Sequence, residues 1–136
     1  SRSHDGGMTW TEAEPWTYDD GTPFHSPSSC SQLIPYSDGR LLWMGNLNER
    51  NSQGNRPRYP IVLGEVDRDS GCLVRESVAA IDDRREGEDD QLTLSNFYAR
   101  QDRETGNLLL FLPRFFAGSR DQGFTADLIE QRIAIR

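Results

Sequence analysis

A chain of 136 residues, 35% of them hydrophobic, is long enough for one domain with a modest core, and its 12 glycines and 7 prolines indicate many turns. The net charge of −7 argues against a nucleic-acid partner, because phosphate binding requires a basic surface. All 15 basic residues are arginines, which excludes a catalytic lysine and reflects either a GC-rich genome or the use of guanidinium groups to bind planar anions.

The cysteines and histidines indicate no disulfide framework, metal or cofactor. Cys30 and Cys72 lie in or beside apolar runs, which predicts buried free thiols. His4 and His25 have no cysteine or carboxylate partners at metal-ligand spacing, so neither a metal nor a cofactor is predicted. No apolar stretch approaches the ~20 residues of a membrane-spanning helix, so no membrane span is predicted.

The chain starts with a turn motif at residues 3–10, which reads Ser-x-Asp-x-Gly-x-Thr-Trp. Asp5 and Gly7 suit a tight hairpin, since the carboxylate accepts backbone N–H bonds and glycine readily adopts a positive φ. Ser3 adds a second bond from side chain to backbone, and Trp10 is predicted to begin the returning strand by packing into a core.

The following segments alternate short apolar runs with turn signals, which predicts antiparallel strands. The predicted strands cover residues 10–18, 30–34, 41–45, 59–66, 73–81, 92–100, 108–116 and 124–135. The turns between them carry Asp and Gly, as at residues 37–39, 67–71 and 102–106. The length of 108–116 fits a helix or a strand, but Pro113 and the lack of a 3.6-residue period favour a strand. The fold class is therefore all-β.

Two internal repeats emerge when the sequence is shifted against itself. The first repeats the opening motif after 64 residues and again after a further 52, and it pairs Asp5 and Gly7 with Asp69 and Gly71 and then with Asp121 and Gly123. The second aligns residues 28–42 with 95–109 at a spacing of 67. Asp-x-x-Gly turns occur in any β protein, but three in register with paired upstream strands favour a true repeat.

The repeated turn resembles the Asp-box, or bacterial neuraminidase repeat, of sialidase-type β-propellers. The resemblance implies part of a six-bladed β-propeller, with about two blades of antiparallel four-stranded sheet and the end of a preceding blade. The end of the preceding blade is assigned to residues 1–23, a full blade to 28–81 and the last blade to 92–135. The last blade is complete or one strand short, because only twelve residues separate Gly106 from Ser119. The chain is interpreted as the C-terminal part of a larger protein.

The sialidase family cleaves terminal sialic acid with retention of configuration, using three arginines on the substrate carboxylate, a tyrosine nucleophile with a glutamate partner, and an aspartate acid/base. Arg58, and Arg56 as second choice, match the third arginine before a blade strand; a solvent-exposed arginine beside a polar loop is the alternative. Tyr98 matches the nucleophile but lies one residue closer to the following turn than the pattern, where Phe97 has the expected spacing. The longer turn could absorb that residue, and a packed strand residue is the alternative role of Tyr98.

The resemblance thus implies an exo-sialidase-like glycoside hydrolase acting on terminal sialic acid or a similar acidic sugar. The alternative is a non-catalytic Asp-box propeller that binds glycans or proteins. The expected partners are a carbohydrate and either further copies of the chain or a companion chain that covers exposed blade edges. The 136 residues alone are expected to be inactive, since the acid/base, the glutamate partner and the other arginines are not assigned. The compartment stays open, with a secreted or periplasmic location implied by the resemblance.

Overall fold

The structure, a computed structural model, describes residues 1–118 and 126–135. In these ranges the chain forms eight β-strands and one short 3-10 helix, which confirms the all-β prediction. The elements are β1 (Gln32–Pro35), β2 (Leu41–Asn46), β3 (Ile61–Val66), η1 (Arg75–Ser77), β4 (Ala79–Asp82), β5 (Thr93–Leu94), β6 (Tyr98–Gln101), β7 (Leu108–Phe115) and β8 (Ala126–Ile133). None of the helical structure described is long enough to cross a bilayer.

The strands form two antiparallel sheets. The first has the order β1-β2-β3-β4. In the second, β5 and β6 both pair with one edge of β7, while β8 pairs with the other edge. The second sheet is therefore three strand positions wide, with β5 and β6 end to end in one of them. The assignment of these sheets to propeller blades stays a proposal.

Two of the predicted strands are interrupted. The prediction of one strand over 92–100 is wrong, because Asn96 adopts φ +57° and separates β5 from β6. The prediction of one strand over 73–81 is wrong because η1 lies inside it. There the Ser77 hydroxyl accepts the Glu65 amide N–H at 2.7 Å and donates to the Val74 carbonyl at 2.7 Å. A side chain thus takes the place of a backbone partner at this point of the sheet.

The hydrophobic core is divided between the two faces of the first sheet. One cluster fills the space between the sheets, where Leu42 and Met44 of β2 pack with Leu110 and Leu112 of β7. The other cluster lies on the opposite face of the first sheet; its buried members are Trp43, Val62, Val66 and Leu73, covered by Trp16, Tyr18 and Phe24. The alternation of side chains along β2 therefore serves both clusters.

Cys30 and Cys72 are free, as predicted, but each is half-buried rather than buried. The Cys30 sulfur lies 3.8 Å from the carbonyl oxygen of Phe97, in the seam between the sheets. The Cys72 sulfur lies 3.8 Å from the Thr17 hydroxyl. Both thiols therefore sit at packing boundaries within the fold.

Equivalent hairpins in the two sheets differ by one residue in loop length. Gln32 pairs with Met44 across the 36–40 loop, and Tyr98 pairs with Phe111 across the longer 102–107 loop. Tyr98 therefore follows Gln32 by 66 residues, while Phe111 follows Met44 by 67. The uniform spacing of 67 is corrected by this difference, since it applies to the second strand of each hairpin and not to the first. The longer turn absorbs the extra residue and gives Tyr98 the position and face of Gln32.

Candidate functional site

The two sheets place their first strands side by side and parallel. The Gln32 side chain forms two hydrogen bonds with the backbone of Ala99: its Nε2 donates to the carbonyl oxygen at 2.7 Å, and its Oε1 accepts the amide N–H at 3.0 Å. Farther along the seam, the Tyr36 hydroxyl donates to the Gly106 carbonyl. A side-chain amide thus pairs with β6 as a neighbouring strand would.

This arrangement gives the pair of sheets two distinct ends. The 36–40, 67–71 and 102–107 turns lie at one end, because each follows the same strand direction. At the other end β1 and β6 begin, and the 47–60 connection between β2 and β3 lies beside them. Arg56 and Arg58 are in that connection and Tyr98 is the first residue of β6. The structure therefore brings all three predicted site residues to the same end of the sheets.

Arg58 is held by three backbone groups. Its Nε donates to the Asn55 carbonyl at 3.0 Å and its Nη2 to the Ser28 carbonyl at 3.1 Å. Its own carbonyl oxygen accepts the Leu94 N–H at 3.0 Å, next to the bridge between Arg58 and Thr93. The guanidinium is therefore fixed in position, with part of its donor set already used.

Arg56 differs from Arg58 in its contacts. Its side chain is half-buried, and within residues 1–118 and 126–135 its guanidinium has no hydrogen-bond or carboxylate partner. Backbone bonding between Gln53 and Arg56 closes the loop that carries it. Arg56 therefore has the larger free capacity for an anion of the two arginines.

Tyr98 lies on the outward face of the second sheet, opposite Phe111, and is 57% exposed. Its neighbour Ala99 is buried against the first sheet, so alternation turns the phenol away from that core. In the described part of the chain its hydroxyl has no hydrogen-bond partner, and no carboxylate contacts it. The accessible phenol is thus available to a ligand but is not activated by a neighbouring base.

The opening turn forms the predicted hydrogen bonds. The Ser3 hydroxyl accepts the Gly7 N–H at 2.7 Å, and the Asp5 carboxylate accepts the Thr9 N–H at 2.9 Å and the Thr9 hydroxyl at 2.7 Å. Gly7 has φ +91°, a conformation that glycine adopts readily. The prediction that Trp10 packs into a core is wrong: its side chain is 65% exposed, and its Nε1 donates to the Gly7 carbonyl at 3.1 Å.

The bonds within this turn lower the pKa of Asp5 from 3.8 to about 2, chiefly because the Thr9 side chain and backbone donate to the carboxylate. The carboxylate therefore stabilises the turn above pH 3.8 and loses this effect as the pH falls through about 2. Between pH 5 and 3 we expect the NMR resonance of the Thr9 amide to stay nearly constant. Thr9→Val is expected to raise the Asp5 pKa toward 3.8, so a clear titration of the wild-type resonance above pH 3 would contradict the assignment.

The second predicted box is a different turn. The carboxylate that accepts backbone N–H bonds there is Asp67, which takes the Ser70 N–H and hydroxyl at 2.6 Å each. This corrects the role given to Asp69, an exposed residue of the same turn. Gly71 does adopt the predicted positive φ, at +66°, and donates its N–H to the Asp67 carbonyl at 2.7 Å.

The same turn recurs at the β6–β7 hairpin. There Asp102 accepts the Thr105 hydroxyl at 2.6 Å, and the Gly106 N–H donates to the Asp102 carbonyl at 2.9 Å. Hydrogen bonds from Ser70 and Thr105 lower the pKa of Asp67 and of Asp102, respectively. The shared sequence, Asp-Arg-Asp/Glu-Ser/Thr-Gly, is visible in residues 67–71 and 102–106 and could have revealed this repeat. The third predicted box, with Asp121 and Gly123, lies outside the described residues.

A buried ionic cluster that sequence reasoning missed lies between the two sheets. Arg114 of β7 is 4% exposed, and its Nη1 contacts an Asp82 oxygen at 2.5 Å while its Nη2 contacts Glu88 at 2.7 Å. Burial works against charge on both partners. The hydrogen bonds and opposite charges outweigh it, so the pKa of Arg114 is raised and that of Glu88 is lowered. The cluster joins β4 and the 83–92 loop to the second sheet and has no free group for catalysis.

A second polar link is built around Asn46, which is fully buried. Its Nδ2 lies 3.1 Å from each of the carbonyl oxygens of Arg58, Pro60 and Leu94, and its Oδ1 accepts the Ser29 hydroxyl at 2.8 Å. The amide therefore ties the connection that carries the candidate arginines to the segment that leads into β6.

The largest surface depression lies on the opposite face of the first sheet. It is a groove of about 910 Å³ whose aromatic lining comes from Trp16, Phe24 and Trp43 and whose charged lining includes Glu12 and Glu14. It is separate from the arginine and tyrosine positions, since none of them lines it.

Comparison with protein-family models, with characterised proteins and with solved structures returned no significant match.

Proposed function

We propose that this chain supplies a carboxylate-binding arginine pair and a nucleophilic tyrosine to an exo-sialidase-like glycoside hydrolase with β-propeller architecture. The observation that supports the proposal is the location of Arg56, Arg58 and Tyr98 at one end of the two sheets, opposite the turns. Ligands of a sheet scaffold commonly bind at loops gathered at one end of it. The terminal sugar would therefore bind beside the start of β6.

The packing of the sheets supports the propeller part of the proposal. Two sheets that share a hairpin repeat pack face to face, with their first strands parallel and joined by Gln32. Radial repetition of such sheets around a central axis is the arrangement of propellers, with first strands innermost. In that arrangement β1 and β6 line the axis, and Tyr98 starts an axial strand.

The chemistry follows from the residue types. A guanidinium binds a planar carboxylate through paired N–H donors, and Arg58 is already oriented by the carbonyls of Asn55 and Ser28. The phenol of Tyr98 is a neutral nucleophile, which avoids repulsion by the substrate carboxylate. Its oxygen attacks the anomeric carbon while the bond to the leaving-group oxygen breaks, and a base removes the phenolic proton. Water then displaces the tyrosine with retention of configuration.

The binding half of the proposal can be tested by NMR titration of this chain with the α-methyl glycoside of N-acetylneuraminic acid. We expect the acid to shift the resonances of Tyr98 and of the Arg56 side chain. The methyl ester, which lacks the carboxylate charge, should bind at least about tenfold more weakly, a difference of about 1.4 kcal/mol. Arg56→Met should weaken binding of the acid to a similar degree.

Arg50→Met is the matched control, since Arg50 is exposed in the same connection and should bind the acid like the wild type. Absence of any shift at millimolar acid would overturn the proposal. Equal binding of acid and ester would also overturn it and would favour a glycan-binding propeller without carboxylate recognition. Tyr98→Phe tests the nucleophile separately, because it should keep binding while removing the attacking oxygen.

A further inference from the structure

The second sheet leaves one face open, and the repeat indicates what packs on it. The outward side chains of β6, β7 and β8 are here called the tail face; its members are Tyr98, Arg100, Leu109, Phe111, Leu128 and Arg132. Leu128 is 71% exposed and Tyr98 is 57% exposed. The tail face is therefore a partly apolar sheet surface that is open to solvent at these positions.

The tail face has a counterpart in the first sheet. The residues at the positions of Arg100, Leu109 and Phe111 are Ile34, Leu42 and Met44, which belong to the core between the two sheets. The first sheet therefore uses this same surface to pack against the second sheet. By repetition, the tail face is a surface of the type that receives a further sheet.

The complementary surface is also present on the chain. Ala99 and Leu110 receive the first sheet, and the residues at their positions in the first sheet are Leu33 and Trp43. The head face consists of Leu33, Leu41 and Trp43 with the groove that they line. Leu33 is 55% exposed although its counterpart Ala99 is 1% exposed. The head face is thus of the type that receives a tail face, and it is only partly covered.

The charges on the two faces are complementary. Glu12 and Glu14, both exposed, line the groove of the head face. Arg100 and Arg132 are exposed on the tail face, where Arg132 forms an ion pair with Glu130 that is largely open to solvent. Attraction between acidic and basic patches favours the head-to-tail pairing and disfavours pairing of two head faces.

We propose that the tail face of one copy of this chain docks on the head face of a second copy and so repeats between molecules the contact that the two sheets make within one. Such a contact joins two different surfaces, so successive copies form a closed ring or an open chain. This inference rests on the repeat geometry and not on the proposed sugar chemistry.

Sedimentation velocity and light scattering across a wide concentration range test this proposal. The wild-type mass should rise with concentration beyond that of a dimer. Leu33→Glu and Leu128→Glu each place a charge in one face, and each should weaken self-association at least about tenfold, since burying an unpaired charge is costly. An equimolar mixture of the two variants should form a 1:1 dimer and no larger species, because it contains one intact face of each type.

Gln53→Glu, an exposed substitution of the same charge away from both faces, should associate like the wild type. Leu33 and Leu128 are largely exposed, so both variants should fold, which circular dichroism checks. A wild type that stays monomeric would overturn the proposal. So would a mixture that stays monomeric, or a single variant that dimerises by itself. Neither leucine belongs to the arginine and tyrosine set, so this outcome is independent of the NMR titration.

Discussion

Replacing Arg114 by Ala is expected to lower the free energy of unfolding by about 3–5 kcal/mol, because it leaves two carboxylates buried without their cation. Arg114 is 4% exposed, and Asp82 and Glu88 are 9% and 16% exposed in their side chains. Urea denaturation with linear extrapolation measures the loss. It should be the largest effect of any single arginine in the described sheets that truncation removes.

The matched control is Arg132→Ala, which removes an ion pair between side chains that are 63% and 44% exposed. Such a pair contributes about 0–1 kcal/mol, so the two alanine variants should differ several-fold. A loss below about 1 kcal/mol for Arg114→Ala would contradict the cluster as described. Replacing Arg114, Asp82 and Glu88 together by apolar residues of similar volume should recover much of the stability.

The pH dependence of this cluster has a definite sign. The folded pKa of Glu88 is lowered, since bonds from the Arg85 backbone and from Arg114 outweigh its burial. Its carboxylate therefore contributes stability above the pKa of the unfolded chain and loses that contribution as the pH falls through the folded value. In Arg114→Ala this acid-sensitive part of the stability should shrink.

Replacing Asn46 by Ala is expected to cost at least about 2 kcal/mol, because three buried carbonyl oxygens lose their donor and the side chain leaves a cavity. Asn46→Asp separates these causes, since it keeps the volume but offers no donor to the same carbonyls. Its destabilisation should equal or exceed that of the alanine variant at neutral pH. Denaturation of both variants is the measurement.

The control for Asn46 is Asn51→Ala, an exposed asparagine of the adjacent connection, which should change stability by less than about 0.5 kcal/mol. If Asn46→Ala were equally silent, the amide would not be the link described. A further readout is the sugar titration, since Asn46 bonds the Arg58 carbonyl. Loss of that bond should loosen the connection that carries both candidate arginines.

Local sequence chemistry was sufficient to predict the fold class and most turns. Asp38 and Gly39 lie in the loop between β1 and β2, and the strand at residues 108–116 was predicted within one residue of β7. These features depend on neighbouring side chains and on alternation, both of which a sequence displays. The break at Ser77 was missed because a side chain replaces a backbone partner there, which leaves no trace in the hydrophobic pattern.

The candidate site was predictable only in part. Arg56, Arg58 and Tyr98 were found through a repeat, and the structure brings them to one end of the sheets. The position of Tyr98 depended on the length of the following loop, a single residue that alignment at one spacing could not resolve. The contact of Arg58 with Ser28 spans 30 residues of sequence, and that of Arg114 with Asp82 spans 32. Such pairings follow from the packing of the two sheets and not from any local motif.

The double hydrogen bond of Gln32 to Ala99 bears on colloidal behaviour as well as on packing. The free edge of a sheet offers unpaired N–H and C=O groups that recruit strands from other molecules, which is the first step of amyloid-like aggregation. At the inner edge of the second sheet both groups of Ala99 are occupied by one amide side chain. A single glutamine therefore guards this edge against foreign strands while leaving the sheet faces free to pack.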